Sequence, residues 1–249
     1  REYQVENKLI STTINGLKIV HFSDLHYGRT VNDEKLKEIV DQINLLKPDL
    51  VFFTGDLVDK DIKINEKKLV IIEKNLSNIN ATIGKYAVKG NHDYSNKLFE
   101  NIMSESGFKL LNNESELIYY KSNTPIILSG LPSSIKDHPD YEKLITNLVL
   151  AEEEIKNYYK ILLVHEPDQI LKLKDNEYNL VLAGHSHNGQ VRLPFVGAII
   201  KTRGARKYYE EHYKVNDTEL YISGGIGCSG LNFRFMNKPS INLYRLYNK

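Results

Sequence analysis

A single cysteine, Cys228, stands among 249 residues, so no intramolecular disulfide framework holds this chain together. No apolar stretch approaches the ~20 residues of a membrane span, and the sequence opens with no signal-peptide pattern. Neither sign of charge dominates: 33 lysines and arginines stand against 32 aspartates and glutamates. That balance leaves no global electrostatic footprint for nucleic acid, and no extended nucleic-acid partner is expected. Internal repeats, low-complexity tracts and linkers are also missing, so residues 1–249 read as one domain. The 41% hydrophobic and 26% charged content is ordinary for a globular protein of a size that builds one substantial core. The chain begins at Arg1 rather than at a methionine. Something upstream has been removed or left out, whether a processed signal or a membrane anchor; with an anchor this would be a membrane-associated soluble domain, otherwise a cytoplasmic protein.

What is present is organised around residues 179–194, NLVLAGHSHNGQVRLP. The run Leu180-Val181-Leu182 has the composition of a strand buried on both faces. It breaks at Gly184 and presents His185 and His187. In an extended segment, side chains two apart point to the same side, so both imidazoles are expected at one spot past the strand's carboxyl end. Alone, such a pair is most simply a polar loop, but four other apolar runs end in the same manner. Residues 16–23 lead into Asp24-Leu25-His26, and residues 49–53 into Thr54-Gly55-Asp56. Residues 85–89 lead into Gly90-Asn91-His92-Asp93, and residues 161–164 deliver His165. Between the first two, Asn32 is positioned to cap a helix carrying Leu36, Ile39, Val40, Ile43 and Leu46 at helical spacing. Further helices are expected over 95–106, 140–158 and 168–174, with an amphipathic segment around Leu69, Ile72 and Leu76. Residues 108–111, 117–120 and 126–130 read as a strand meander, and 208–215, 219–223 and 241–247 as antiparallel strands. Strand–helix alternation followed by more strands argues for an α/β layered sandwich.

Ligands in open α/β sheets bind outside the carboxyl ends of strands, so Asp24, His26, Asp56, Asn91, His92, His165, His185 and His187 can converge. Carboxylate, imidazole and amide oxygen are a borderline ligand set suited to Mn, Fe or Zn, and the lack of thiolate argues against a structural zinc cage. Each piece alone is weak; the ordered set is specific. DLH, GD, GNHD, a strand-end His and GHSH in this order resemble the calcineurin-like metallophosphoesterase superfamily. VHEPD at 164–168, GHSHNGQVRLP at 184–194 and GGIGCSG at 224–230 are similar to its bacterial branch, whose members are often held at a membrane by an N-terminal segment.

That resemblance implies a layered sandwich of two mixed β-sheets flanked by helices, and two divalent metal ions as cofactors. It implies Asp24, His26 and His187 at the first metal, Asn91, His165 and His185 at the second, and Asp56 bridging both. His92 would lie near the scissile phosphate as proton donor or charge stabiliser, with Asp93 orienting it. Ser186 stands in GHSH where threonine is common, a conservative change. The activity implied is hydrolysis of a phosphodiester or pyrophosphate by a metal-bridging hydroxide. The substrate would be a phosphate ester, nucleotide- or lipid-linked, such as UDP-2,3-diacylglucosamine. Alternatives are a phosphomonoesterase or protein phosphatase, and a silent scaffold of the same fold; the complete ligand set speaks against the last. Arg192, five residues past His187, is placed to touch substrate or to brace its loop. Lys201, Arg203, Arg206 and Lys207 form either a solvated turn or a contact for a second phosphate or an anionic lipid surface. Cys228 and His21 read as packed residues, and residues 133–141 as a rim loop.

Overall fold

The second strand shows how the layers arise. In Leu17–Phe22, Leu17 and Ile19 point to one side and Val20 and Phe22 to the other, and both sides are buried. A strand patterned this way needs a layer on each face. The structure, a computed structural model, describes the chain apart from Asn96, Lys97, Asn147, Val149, Asp175 and Asn176. In chain order its strands are β1 (Glu2–Glu6), β2 (Leu17–Phe22), β3 (Leu50–Phe53), β4 (Gly84–Ala87), β5 (Phe108–Leu110), β6 (Glu114–Ile118) and β7 (Ile126–Gly130). There follow β8 (Tyr159–Leu163), β9 (Leu180–Ala183), β10 (Arg192–Leu193), β11 (Gly197–Ala198), β12 (His212–Val215), β13 (Thr218–Ile222) and β14 (Asn242–Tyr247). The helices are α1 (Asp33–Leu45), α2 (Glu66–Ser77), α3 (Phe99–Glu105), α4 (Lys143–Thr146) and α5 (Glu152–Lys156).

One six-stranded sheet runs β1-β14-β2-β3-β4-β5 and the other β12-β13-β9-β8-β7-β6; both mix parallel and antiparallel pairs. Ile19, Leu50 and Phe52 of the first sheet pack with Leu128, Ile161 and Leu182 of the second. On the first sheet's other face, Val20, Val51 and Phe53 meet Ile39, Ile43, Ile72 and Ile102 of α1–α3. The expected α/β sandwich of two mixed sheets with flanking helices is therefore present.

Local differences have local causes. Asn32 caps α1 as expected, accepting from Lys35 N–H at 2.9 Å. The helix expected over 140–158 is instead α4 and α5: Ala151 is extended (ψ 145°), and Glu154 reaches back to its N–H at 3.0 Å, starting a new helix. Asn147 and Val149, within that expected span, lie outside the described residues. Of the helix expected over 95–106, α3 covers the second half; Asn96 and Lys97 also lie outside. Residues 168–174 form a tighter 3₁₀ segment, Pro167–Lys172. β1 was not anticipated, since only Val5 of its residues is buried, but it pairs parallel with β14.

Beyond β8, the fully buried Glu166 ties two loops to the strand end. Its carboxylate accepts from the Ser133 hydroxyl, Ser134 N–H at 2.8 Å and the Gln169 amide at 2.9 Å. Removing one acceptor leaves several buried donors unmatched, each at ~1–3 kcal/mol. Glu166→Ala is expected to lower unfolding stability by about 2 kcal/mol or more, read from the urea midpoint at constant m. A loss under ~0.5 kcal/mol, the size of an ordinary surface change, would remove Glu166 from this role.

Candidate metal centre

Asp24 and His26 follow β2, Asp56 follows β3, and Asn91, His92 and Asp93 follow β4. From the second sheet, His165 follows β8, and His185 and His187 follow β9. The turns are unusual: Asp24, His26, Asp56, His185 and His187 all have positive φ, between 43° and 65°. Non-glycine residues seldom adopt this left-handed conformation, which is stored where the surrounding structure over-determines it. It also corrects the expectation for HSH. The segment is not extended, and its two imidazoles do not aim at one spot: His185 stands with Asp56 and His165, and His187 with Asp24 and His26. Two glycines let the turns close. A Cβ at Gly184 would overlap Ser23 Oγ and lie 2.6 Å from Asp24 Oδ2; one at Gly90 would lie 2.5 Å from Asp56 N and 2.7 Å from His165 Cε1. The sheets are stitched together here by His185 N–H donating to the Asp24 carboxylate at 3.0 Å, while Asp24 N–H donates to Gly55 O at 2.9 Å within the first sheet.

The donor atoms converge. His26 Nε2 lies 3.2 Å from His187 Nε2, 3.7 Å from Asp56 Oδ2 and 3.9 Å from Asp24 Oδ1. His187 Nε2 is 3.4 Å from Asp24 Oδ1. On the other side of Asp56, His165 Nε2 is 3.3 Å from Asp56 Oδ2 and 3.2 Å from Asn91 Oδ1. Donors bonded at ~2.1 Å to one ion stand roughly 3.0–3.4 Å apart in octahedral or tetrahedral geometry, so these spacings fit two ions sharing Asp56. The tautomers agree for three rings. His165 Nδ1 donates to Thr54 O at 2.6 Å, His185 Nε2 donates to Arg203 O at 2.7 Å, and Asp59 Oδ2 faces His26 Nδ1 at 3.4 Å. The other nitrogen of each faces carboxylates, an arrangement that is matched by a proton or by a bound cation.

Electrostatics follow the same logic. Burial opposes the charged form of Asp56, but His165, His26 and His92 outweigh it and hold the carboxyl well below its usual range; His165 is raised well above its own for the reciprocal reason. Burial pushes His187 down to about 3 and His92 below its ordinary value.

Comparison with known proteins is decisive on the family. The family model described as calcineurin-like phosphoesterase matches residues 17–189. The chain belongs to the calcineurin-like phosphoesterase family. It is 35% identical over 248 residues to a protein of Bacillus subtilis named as an uncharacterized metallophosphoesterase, YkuE, covering 98% of this chain and 84% of that one. A second Bacillus subtilis protein, named as the uncharacterized metallophosphoesterase YkoQ, is 29% identical over 92% of this chain and 83% of its own length. A Danio rerio protein, named as a transmembrane protein with metallophosphoesterase domain, is 28% identical over 96% of this chain and 55% of its own length. This family member is accordingly a metal-dependent phosphoesterase, and a dinuclear divalent metal site is implied for it.

Several residues that shape the phosphoesterase site were not singled out from sequence. Asp59, three residues beyond Asp56, faces His26 and is held by Arg29 Nε at 2.9 Å; it lies past the strand-end motif and carries no local signal of its own. Arg234, in RFMNKP, donates to Gly224 O at 2.6 Å and sits 3.1 Å from His187 Nδ1. A guanidinium only donates, so His187 Nδ1 accepts from it here, while the same guanidinium donates to the Gly224 and Gly227 carbonyls. Asp168 of VHEPD accepts from Arg206, Lys207 and Tyr208 N–H, fixing the loop that offers Arg203 O to His185.

One expected role changes, and one open alternative is narrowed. Asp93 does not orient the His92 ring: its carboxylate accepts from Asp56, Leu57 and Gly90 N–H at 2.8–2.9 Å, clamping the Asp56 turn. Burial and the Asp56 charge push it up to about 7. Arg192 is engaged by Glu210 at 2.7 Å and Asn188 O at 2.8 Å, so it braces its loop. Cys228 is buried, its N–H donating to Thr30 Oγ1 at 2.9 Å. For the carboxylate facing His26, Asp59→Asn is expected to weaken metal binding by roughly 10–100-fold, read by competition with a chelator. Asp56→Ala should abolish stoichiometric binding. Equal affinities for Asp59→Asn and the parent would show that Asp59 does not set the His26 tautomer.

Proposed function

We propose that this phosphoesterase hydrolyses phosphodiesters or pyrophosphates, with Asp24, His26 and His187 on one ion, Asn91, His165 and His185 on the other, and Asp56 between them. The observation that carries this reading is the His92 ring beside the centre. Its Nδ1 accepts from Lys60 N–H at 3.2 Å, which leaves the proton on Nε2, the nitrogen 3.9 Å from Asp56 Oδ2. Because burial holds the ring neutral near pH 7, it acts as a neutral donor rather than as an imidazolium. His92 borders a cavity of about 300 Å³ that Asp56, Asn91, His185 and His187 also line.

When bound, the ions supply positive charge for the phosphoryl oxygens and a hydroxide nucleophile at neutral pH. His92 then donates toward the leaving oxygen, where charge develops in the transition state. Asn91 is a neutral donor, so the two carboxylates among the proposed ligands leave net positive charge to draw in a phosphate anion. A diester or pyrophosphate gains most from such a donor. Monoesters pass through a looser transition state and depend on clamps around three terminal oxygens. Two arginines near the centre are committed elsewhere, Arg192 to Glu210 and Arg234 to backbone carbonyls, which favours the diester reading. Manganese is the working choice of metal because the donor set is oxygen and imidazole without thiolate. A nucleotide- or lipid-linked ester such as UDP-2,3-diacylglucosamine is the substrate class in view. The transmembrane name of the Danio rerio relative supports a place beside a bilayer.

Comparing kcat/KM for a bis-aryl and a mono-aryl phosphate under the same Mn²⁺ tests the substrate class, with the diester expected to be preferred. A clear preference for the monoester would mean a phosphatase. His92→Ala should keep both metals and lose roughly 10²–10⁴ in rate on the diester; loss of metal together with rate would make His92 a ligand instead of the donor.

A further inference from the structure

Much of the exposed large apolar surface gathers beside the mouth of the metal cavity. One part is the β10–β11 hairpin and the residues after it: Phe195 at the tip is fully exposed, and Val196 and Ile200 are exposed beside it. The other is the segment carrying Phe233, Phe235 and Met236, all exposed. The two parts form one surface. Arg192 N–H donates to Phe235 O at 3.0 Å, Phe235 N–H to Gln190 O at 3.1 Å, and the Gln190 amide to Phe233 O at 3.1 Å. Phe195 and Met236 hold positive φ, 65° and 52°, a costly conformation for bulky side chains. Ile200 and Leu231, both exposed, also line the cavity that contains Asp56, His92 and His187, so the apolar face and the reaction site share a rim.

Charge says what covers this face. From residue 188 to 209, and again from 228 to 240, the sequence contains no aspartate or glutamate. The exposed Lys201, Arg203, Arg206 and Lys207 follow the hairpin directly, and exposed Lys238 follows Met236. A second copy docked face to face would bring these cations against their own kind. Anionic headgroups would neutralise them while the aromatic side chains enter the acyl boundary, as cationic amphipathic surfaces do.

We propose that this face docks on an anionic phospholipid bilayer, turning the metal cavity toward phosphoesters carried by lipid. The docking rests on the face itself; what happens to the headgroup rests on the hydrolase reading above.

The chain has no tryptophan, so Phe195→Trp places a single reporter at the hairpin tip. With vesicles of equimolar phosphatidylglycerol and phosphatidylcholine, its emission should shift to the blue, be quenched by brominated lipid, and return as salt is raised. Vesicles of phosphatidylcholine alone should bind at least roughly tenfold more weakly, given several basic residues at the surface. In a parent background, Phe195→Ser with Phe233→Ser should lower vesicle partitioning at least ~tenfold, while hydrolysis of a soluble bis-aryl phosphate is unchanged. No binding to anionic vesicles, or equal binding by the double serine variant, overturns the proposal. So does a reporter shielded without vesicles together with a doubled mass in solution, which would make the face a contact between copies. Vesicle binding intact in a protein inactive on every phosphoester would instead sink the hydrolase reading and leave the docking face standing.

Discussion

Buried lone pairs that face one another are the constraint on which this structure depends. Asp24, Asp56, His26, His165, His185 and His187 are all buried; donor atoms of all but His185 approach to 3.2–3.9 Å, and His185 joins Asp56 and His165 within 4.8 Å, at the seam of two sheets. Taking carboxylates out of water costs several kcal/mol each unless they are matched by positive charge. Without metal, protonated His165 beside Asp56 is one such match. Two divalent ions are the fuller one. An apolar core alone would never assemble this cluster, so its neighbours must hold it in place.

Those neighbours are mostly backbone. Thr54 O and Arg203 O accept the outer protons of His165 and His185. Asp93 clamps the Asp56 turn through three N–H groups, and Asp24 accepts the His185 N–H across the sheets. Gly90 and Gly184 let the loops come closer than any side chain would permit. The left-handed conformations at five ligand-type positions follow from this crowding, and the surrounding hydrogen bonds offset their cost. Because His165 reaches Thr54 O and the His185 N–H reaches Asp24, each joining one sheet's loops to the other's, the centre belongs to the seam rather than to either sheet.

Much of this was legible in sequence because strand-end chemistry has a local signature. An apolar run followed at once by DLH, GD, GNHD or GHSH locates both the strand and its polar exit, and α1 was readable down to its Asn32 cap. What was not legible depended on chain reversal in three dimensions. Extended geometry was a reasonable default for His185 and His187, yet left-handed turns send them to opposite sides of Asp56. Asp59 and Arg234 carry no local mark, since their importance comes from which histidine nitrogen they face. β1 escaped notice because a half-exposed edge strand buries only Val5. The apolar face beside the cavity was equally invisible, as it unites residues about forty positions apart through the Gln190–Phe235 pairing.

The central claim is that these side chains hold two ions sharing Asp56. Anomalous diffraction from crystals of the Mn²⁺-loaded protein, collected at the manganese edge, tests it most directly. Two peaks ~3.5–4 Å apart, one beside Asp24, His26 and His187 and the other beside Asn91, His165 and His185, are predicted, with Asp56 between them. A single peak, or full phosphodiesterase activity in protein shown to contain no metal, would contradict the account.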